Sequence, residues 1–168
     1  MLKAMKSQLS LLAIENGEAF ATHIRRRVKA KQAQGAVSKS LNLIMIMPDL
    51  IAQIRDASED RKLSPEVRRL NQFLLVYFYH PVDFLPDDTG GLFGYLDDSY
   101  FVGRVYQKIR SITGKQASAS AKELTLDLTA GLEAVRGVIP KEARKIDSLI
   151  EELMRGKRGM FEELLSRK

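Results

Sequence analysis

Apolar side chains recur along this chain every three or four residues, and the recurrence stops at glycines, prolines and one aspartate-rich stretch. Met5, Leu9, Leu12 and Ala13 predict a helix over residues 3–15, with Asn16-Gly17 as its stop, because both residue types tolerate the left-handed conformation. Phe20, Ile24 and Val28 predict a second helix from Glu18 to Gln34, ended by Gly35. Ser38 or Ser40 is positioned to cap a third, Leu41–Met47. Pro48 interrupts or kinks that helix, and Pro48-Asp49-Leu50 starts a short one through Ala57.

Residues 56–62 read as a polar loop. Ser64-Pro65-Glu66 then carries three helix-start signals in a row: a serine cap, a proline at the first helical position and an acid in the first turn. The helix that follows aligns Val67, Leu70, Leu74 and Tyr77, and Phe73, Val76 and Phe78 make its end apolar nearly all round. Such a helix is buried in its own domain or against a partner. Pro81 ends it by pushing His80 out of helical geometry.

Beyond the aspartate-rich turn, Phe93 or Leu96 with Phe101, Val105 and Ile109 predicts a helix over Leu92–Ile112, kept wet in part by Arg104, Lys108 and Arg110. Leu124, Leu128, Leu132 and Val135 predict another from Ser120, closed by Gly137 and Pro140. Ile146, Leu149, Ile150 and Leu153 predict the last long one, and Met160–Leu165 adds one or two turns. No alternating strand pattern and no fixed-period repeat occurs. The expected fold is all-α: a single-domain bundle of seven or eight short-to-medium helices around a Pro/Asp-rich helix–turn–helix. Its segments are N-terminal helices over 1–60, a hairpin core over 61–114 and a C-terminal helical hairpin over 115–168, the last forming one globular unit with the core.

Composition narrows the chemistry. At 168 residues one domain is expected, with about 70% of the unfolded surface buried. The absence of cysteine excludes disulfides, thiolate zinc sites and cysteine nucleophiles, and the two histidines, His23 and His80, exclude a histidine-rich metal site. The start of the chain lacks an apolar core followed by a small-residue cleavage site. The longest uncharged stretch near the centre, Asn71–Val82, is shorter than the ~20 residues a spanning helix needs. These signs predict a cytoplasmic protein without a transmembrane segment, with peripheral membrane contact as the variant. No G-x-S-x-G elbow and no phosphate-cradling glycine loop is present.

The net charge of +6 favours polyanions and anionic surfaces. Arg25, Arg26, Arg27, Lys29 and Lys31 fall on the second expected helix and are the candidate anion-binding residues. The favoured reading of them is a solvated face flanking Ile24 and Val28, since no aromatic residue interleaves with them as a stacking platform.

The unusual chemistry is concentrated in residues 77–98. Asp83, Asp87, Asp88, Asp97 and Asp98 lie on two arms of a turn that also holds Pro81 and Pro86. Carboxylates without histidine or cysteine suit a hard cation, Mg²⁺ or Ca²⁺, which would polarise a phosphate or activate water. Asp83, Asp87, Asp97 and Asp98 are the candidate metal ligands, and His80 is a candidate general base beside them. The same residues also make a rigid corner. Aspartates cap helix starts, prolines fix φ, and Asp97 or Asp98 can pair with Arg68, Arg69 or Arg104. On that reading Pro81, Asp83, Pro86, Asp87, Gly94, Tyr95, Asp97 and Asp98 set the crossing angle of two helices, and His80 is a helix-end residue favoured by the dipole.

A tyrosine, three residues, Pro-Val-Asp-Phe-Leu-Pro-Asp, a spacer and Gly-Tyr-Leu-Asp-Asp form one pattern, carried by Tyr77, Pro81, Asp83, Pro86, Asp87, Gly94, Tyr95, Asp97 and Asp98. Over Leu63–Val105 it resembles the YkvA-like domain of unknown function, a small bacterial helical module. The resemblance implies helices and a structural turn, with no established activity. Its relatives often look membrane-associated through this hairpin, whereas here the spacer Asp88–Phe93 is longer by one residue and more polar.

The function expected from these features is a non-catalytic interaction or scaffold protein that binds a protein partner or itself. The apolar end Tyr77–His80 and the methionine-rich Leu41–Met47 are its candidate surfaces. The alternatives are a peripheral binder of anionic membrane or nucleic acid through residues 23–31, and a divalent-metal-dependent hydrolase using the aspartates.

Overall fold

The computed structural model describes residues 2–58, 63–79, 91–114 and 119–156. Among them the secondary structure is entirely helical: α1 (Leu2–Arg25), α2 (Ala30–Ser58), α3 (Pro65–Tyr79), a short 3-10 helix (Gly91–Gly94), α4 (Tyr95–Thr113), α5 (Ala119–Val138) and α6 (Pro140–Met154). The all-α class is as expected. The expected last turn, Met160–Leu165, lies outside the described residues.

The expected helices over the first fifty-eight residues are joined into two. α1 runs straight through Asn16-Gly17. A glycine inside a helix costs about 1 kcal/mol relative to alanine, which is less than the gain from burying Leu9, Phe20 and Ile24 together along one continuous face. The chain turns instead at 26–29, where Arg27 N–H donates to Ile24 O at 2.9 Å and Gln32 N–H to Lys29 O at 2.8 Å. α2 likewise passes Gly35 and Pro48. An interior proline removes one ladder bond and costs about 3 kcal/mol, but Leu43, Ile44 and Met47 before it and Leu50 and Ile54 after it are all buried. Ser38 does not cap a helix start; its hydroxyl donates back to Gly35 O at 3.2 Å within α2.

α2 is the central rod, packed against α1, α3, α4 and α5. It is long and apolar enough to cross a membrane by length and composition, and here its apolar residues fill the bundle core. α5 approaches it closely at Gly131, where a Cβ would lie 2.9 Å from Leu43 Cβ and 3.2 Å from Lys39 O. α3 starts as expected: Val67 N–H donates to Ser64 Oγ at 3.4 Å. Its Glu66 carboxyl is held below the usual range by its own backbone N–H and by the Ser64 hydroxyl. Arg69 of α3 closes the far end of α6, donating from Nε to Leu153 O and from Nη2 to Met154 O, both at 2.9 Å. Leu153 O also accepts the Gly156 N–H at 3.1 Å, so the guanidinium adds a second donor there and supplies one to Met154 O at the helix end. One buried cluster runs through all three expected segments, from Leu9 through Phe101 to Leu153.

Candidate functional site

The described arm of the aspartate motif is the 3-10 helix and the first turn of α4. Gly91 has φ +72, and a Cβ there would lie 3.3 Å from the Asn16 side chain on α1. The chain therefore enters this arm pressed against α1, with Leu92 and Phe93 buried behind it. Phe93 faces the α1–α2 corner, where His23 lies 5.4 Å from its ring and the Arg27 guanidinium sits 4.5 Å above it.

Asp97 and Asp98 occupy the first turn of α4, where the helix dipole favours negative charge. Asp97 is fully buried. Asp98 accepts a hydrogen bond from the Tyr77 hydroxyl at 2.7 Å. The first and last residues of the motif thus meet. Around them Phe73, Tyr77 and Phe101 stack, with ring centroids 5.6 Å apart for Phe73–Phe101 and 4.8 Å for Tyr77–Phe101. This aromatic contact and the Tyr77–Asp98 bond join α3 to α4. Of the arginines expected to pair with Asp97 or Asp98, Arg69 bonds carbonyls of α6 and Arg104 bonds Asp147.

Tyr95 is half-buried, and burial followed by the Asp98 charge raises its hydroxyl above the ordinary value. Gly94 has an ordinary helical backbone, with no described atom within 4 Å of a Cβ placed there. His80, Pro81, Asp83, Pro86, Asp87 and Asp88 lie outside the described residues. Among the described residues no three acids or histidines converge as metal ligands. Asp97 and Asp98, at successive helical positions, point about 100° apart. A Mg²⁺ or Ca²⁺ site therefore turns on Asp83 and Asp87.

The basic run is not one helical face, which corrects the expectation for residues 23–31. It spans the end of α1, the turn and the start of α2, because the chain turns there and not at Gly17 or Gly35. Arg25 pairs with Glu18 at 2.9 Å, and Arg27 lies over Phe93. Lys31 lines an open groove of about 510 Å³ between α2 and α5, together with Gln32, Lys39 and Glu133.

On α4, Arg104 and Lys108 remain partly exposed and also meet acids of α6 at the same four-residue spacing: Arg104–Asp147 at 2.7 Å and Lys108–Glu151 at 2.8 Å. Buried Tyr100 joins this seam. Its hydroxyl lies 3.1 Å from Asp147 Oδ2 and accepts from Arg136 Nε at 3.0 Å and Nη2 at 2.8 Å. Burial raises the Tyr100 hydroxyl pKa, and the Arg136 hydrogen bond opposes that rise. The matching i, i+4 spacing of Arg104/Lys108 and Asp147/Glu151 was the available signal for this seam.

The candidate partner surfaces also move. In Leu41–Met47, residues Leu43, Ile44 and Met47 are fully buried and Leu41, Met45 and Ile46 pack against the core, so this stretch fills the interior. Of the other candidate surface, Tyr77 is buried, and the side chains of Phe78, Tyr79 and His80 lie outside the described residues. The large apolar side chains that do face solvent include Leu11 (58% exposed) and Ile14 (82%) on α1, and Leu75 and Val76 on α3. They escape a reading by single stripes because each lies off the apolar line of its own helix.

Comparison with protein-family models, curated proteins and solved structures finds no match to this chain.

Proposed function

We propose that this chain is a non-catalytic helical interaction module that binds a protein partner or a second copy of itself. The observation that carries the reading is the outer face of α1, where Leu11 and Ile14 stand one turn apart and turned to water. Isolated apolar residues on a surface need no explanation, but two adjacent ones on a peripheral helix otherwise rich in Lys, Ser, Gln and Glu form a contact patch. The acid corner supports the same role mechanically: Tyr77–Asp98 ties α3 to α4, and the close approach of Gly91 to Asn16 sets this arm against α1. The resemblance to the YkvA-like domain belongs to this proposal as a second, sequence-based line. A photo-crosslinker in place of Ile14 is expected to give a discrete polypeptide adduct in cell extract. The same group in place of exposed Arg144 on α6 serves as the control. Equal, diffuse labelling from both positions removes the reading.

A second reading, contact with polyanions or an anionic membrane surface, is favoured by the exposed Arg26, Lys29, Lys31 and Lys39 around the α1–α2 corner. It requires affinity for an anionic vesicle or duplex that falls steeply with salt. Affinity independent of salt eliminates it.

A further inference from the structure

Two corners of the chain, far apart in sequence, share one end of the bundle. α5 meets α2 at Gly131, beside Lys39 and Leu43. The groove between these helices is lined by residues from Val28 to Lys39 on one side and from Ala130 to Gly137 on the other. Gly137 therefore lies toward the start of α2, and α5 runs antiparallel to it. The α1–α2 corner at 26–29 and the α5–α6 corner at Ile139 consequently close the same end. α5 packs against both α2 and α6, so the corners are separated by no more than two interhelical spacings, about 16–20 Å.

Both corners are basic. Arg26 and Lys29 in the first, Lys31 in the opening turn of α2, and Lys141 and Lys145 one turn apart on α6 are all exposed. None of these has an ion-pair partner among the described residues. Arg144 turns back to donate to Pro140 O at 3.1 Å. Acid is sparse at this end. Glu18 is held by Arg25 at 2.9 Å, Glu133 stands one turn short of Gly137, and Glu142 is partly buried in the first turn of α6.

Cations spread over that width with no large apolar side chain among them suit a line of phosphates. Leu11, Ile14, Leu75, Val76 and Ile112, the exposed large apolar residues, lie outside both corners. No described side chain here is fitted to insert into a bilayer, as a peripheral membrane contact requires. Phe93, the ring at the first corner, is buried with Arg27 above it and offers no face to an unpaired base. A duplex presents one charge per about 1.7 Å of axis and needs neither insertion nor stacking. We infer that the end of the bundle formed by Arg26, Lys29, Lys31, Lys141 and Lys145 binds the phosphate backbone of double-stranded nucleic acid without reading its sequence. This inference rests on the polyanion reading, adds the α6 corner to it and names its ligand.

Titrating the full chain into a short mixed-sequence DNA duplex at several salt concentrations tests this. The log–log slope of affinity against salt is expected to be about −4 to −5, since each phosphate neutralised by one of these cations contributes about −0.9. Lys29→Gln/Lys31→Gln and Lys141→Gln/Lys145→Gln are each expected to make the slope shallower by about 2 and to weaken binding about tenfold. Arg68→Gln/Arg155→Gln removes as much charge from the opposite end, where α3 meets the close of α6, and is expected to bind as the unaltered chain does. Equal weakening in all three variants means that net charge alone governs binding and overturns the inference. Unchanged binding by Lys141→Gln/Lys145→Gln overturns it too, yet leaves the polyanion reading standing on the first corner. Salt-dependent binding to phosphatidylserine vesicles with none to the duplex has the same consequence. Absence of binding to both duplex and vesicles at low salt removes the inference and the reading together.

Discussion

α1 and α4 are both amphipathic helices of ordinary composition, and their environments are reversed. α4 buries ten of its nineteen residues, including Asp97, Ser99 and Tyr100, between α2, α3, α5 and α6. α1 buries four of its twenty-four and leaves Ile14 in water. On α4, Arg104 and Lys108 each meet an opposite charge on α6 at matched spacing, and Asp98 takes the Tyr77 hydroxyl. On α1, apolar side chains face outward because α2 and the 3-10 helix cover only one side of it. The number of neighbouring elements, more than residue type, decides which side chains are dry.

The contrast is tested most severely by truncating one apolar residue on each helix. Phe101→Ala removes a fully buried ring stacked on Phe73 and Tyr77, so a loss of about 3–5 kcal/mol is expected in urea denaturation. Ile14→Ala, measured on the monomer, is expected to change stability by no more than about 0.5 kcal/mol. Similar losses at both positions would mean that α1 is not peripheral.

A smaller effect tests the polar side of α4. Tyr100→Phe keeps the buried ring and deletes the hydroxyl held between Asp147 and Arg136. A loss of about 1 kcal/mol is expected, because Arg136 is more than half exposed and water can replace part of the interaction. No change in melting temperature would show that the seam adds nothing beyond packing.

The smallest effect is in acid. The Lys108 ammonium holds the Glu151 carboxyl below its ordinary pKa. A carboxylate with a depressed folded pKa adds stability that is complete above the unfolded value, about 4.3, and is lost as pH falls through the folded one. Glu151→Gln should therefore lower stability near neutral pH by about 0.5 kcal/mol or less and make the decline below pH ~4 shallower. An unchanged acid limb would place the pair in solvent.

The helical class, the Ser64-Pro65 start of α3 and the core stripes of α4 and α6 were all readable from periodicity and caps, because those signals are local. Helix breaks were expected at Asn16-Gly17 and Gly35 and an interruption or kink at Pro48, and the helices run through all three. Local breakers cost only about 1–3 kcal/mol each, and continuous burial along α1 and α2 exceeds that. The same displacement put the basic run on a corner instead of a helix. Of the acid motif, the meeting of Tyr77 with Asp98 depends on how α3 crosses α4, twenty-one residues apart in sequence.

By itself, then, the amino-acid order determined that the chain is helical, which stripes are apolar and where acid and base are concentrated, since each of these is set by neighbours within a turn or two. Only the packing decided that Leu41–Met47 is interior, that Arg104 and Lys108 have partners, and that among the described residues Leu11 and Ile14 face solvent. Those outcomes depend on which helices lie alongside, and that is a property of contacts made across the whole fold.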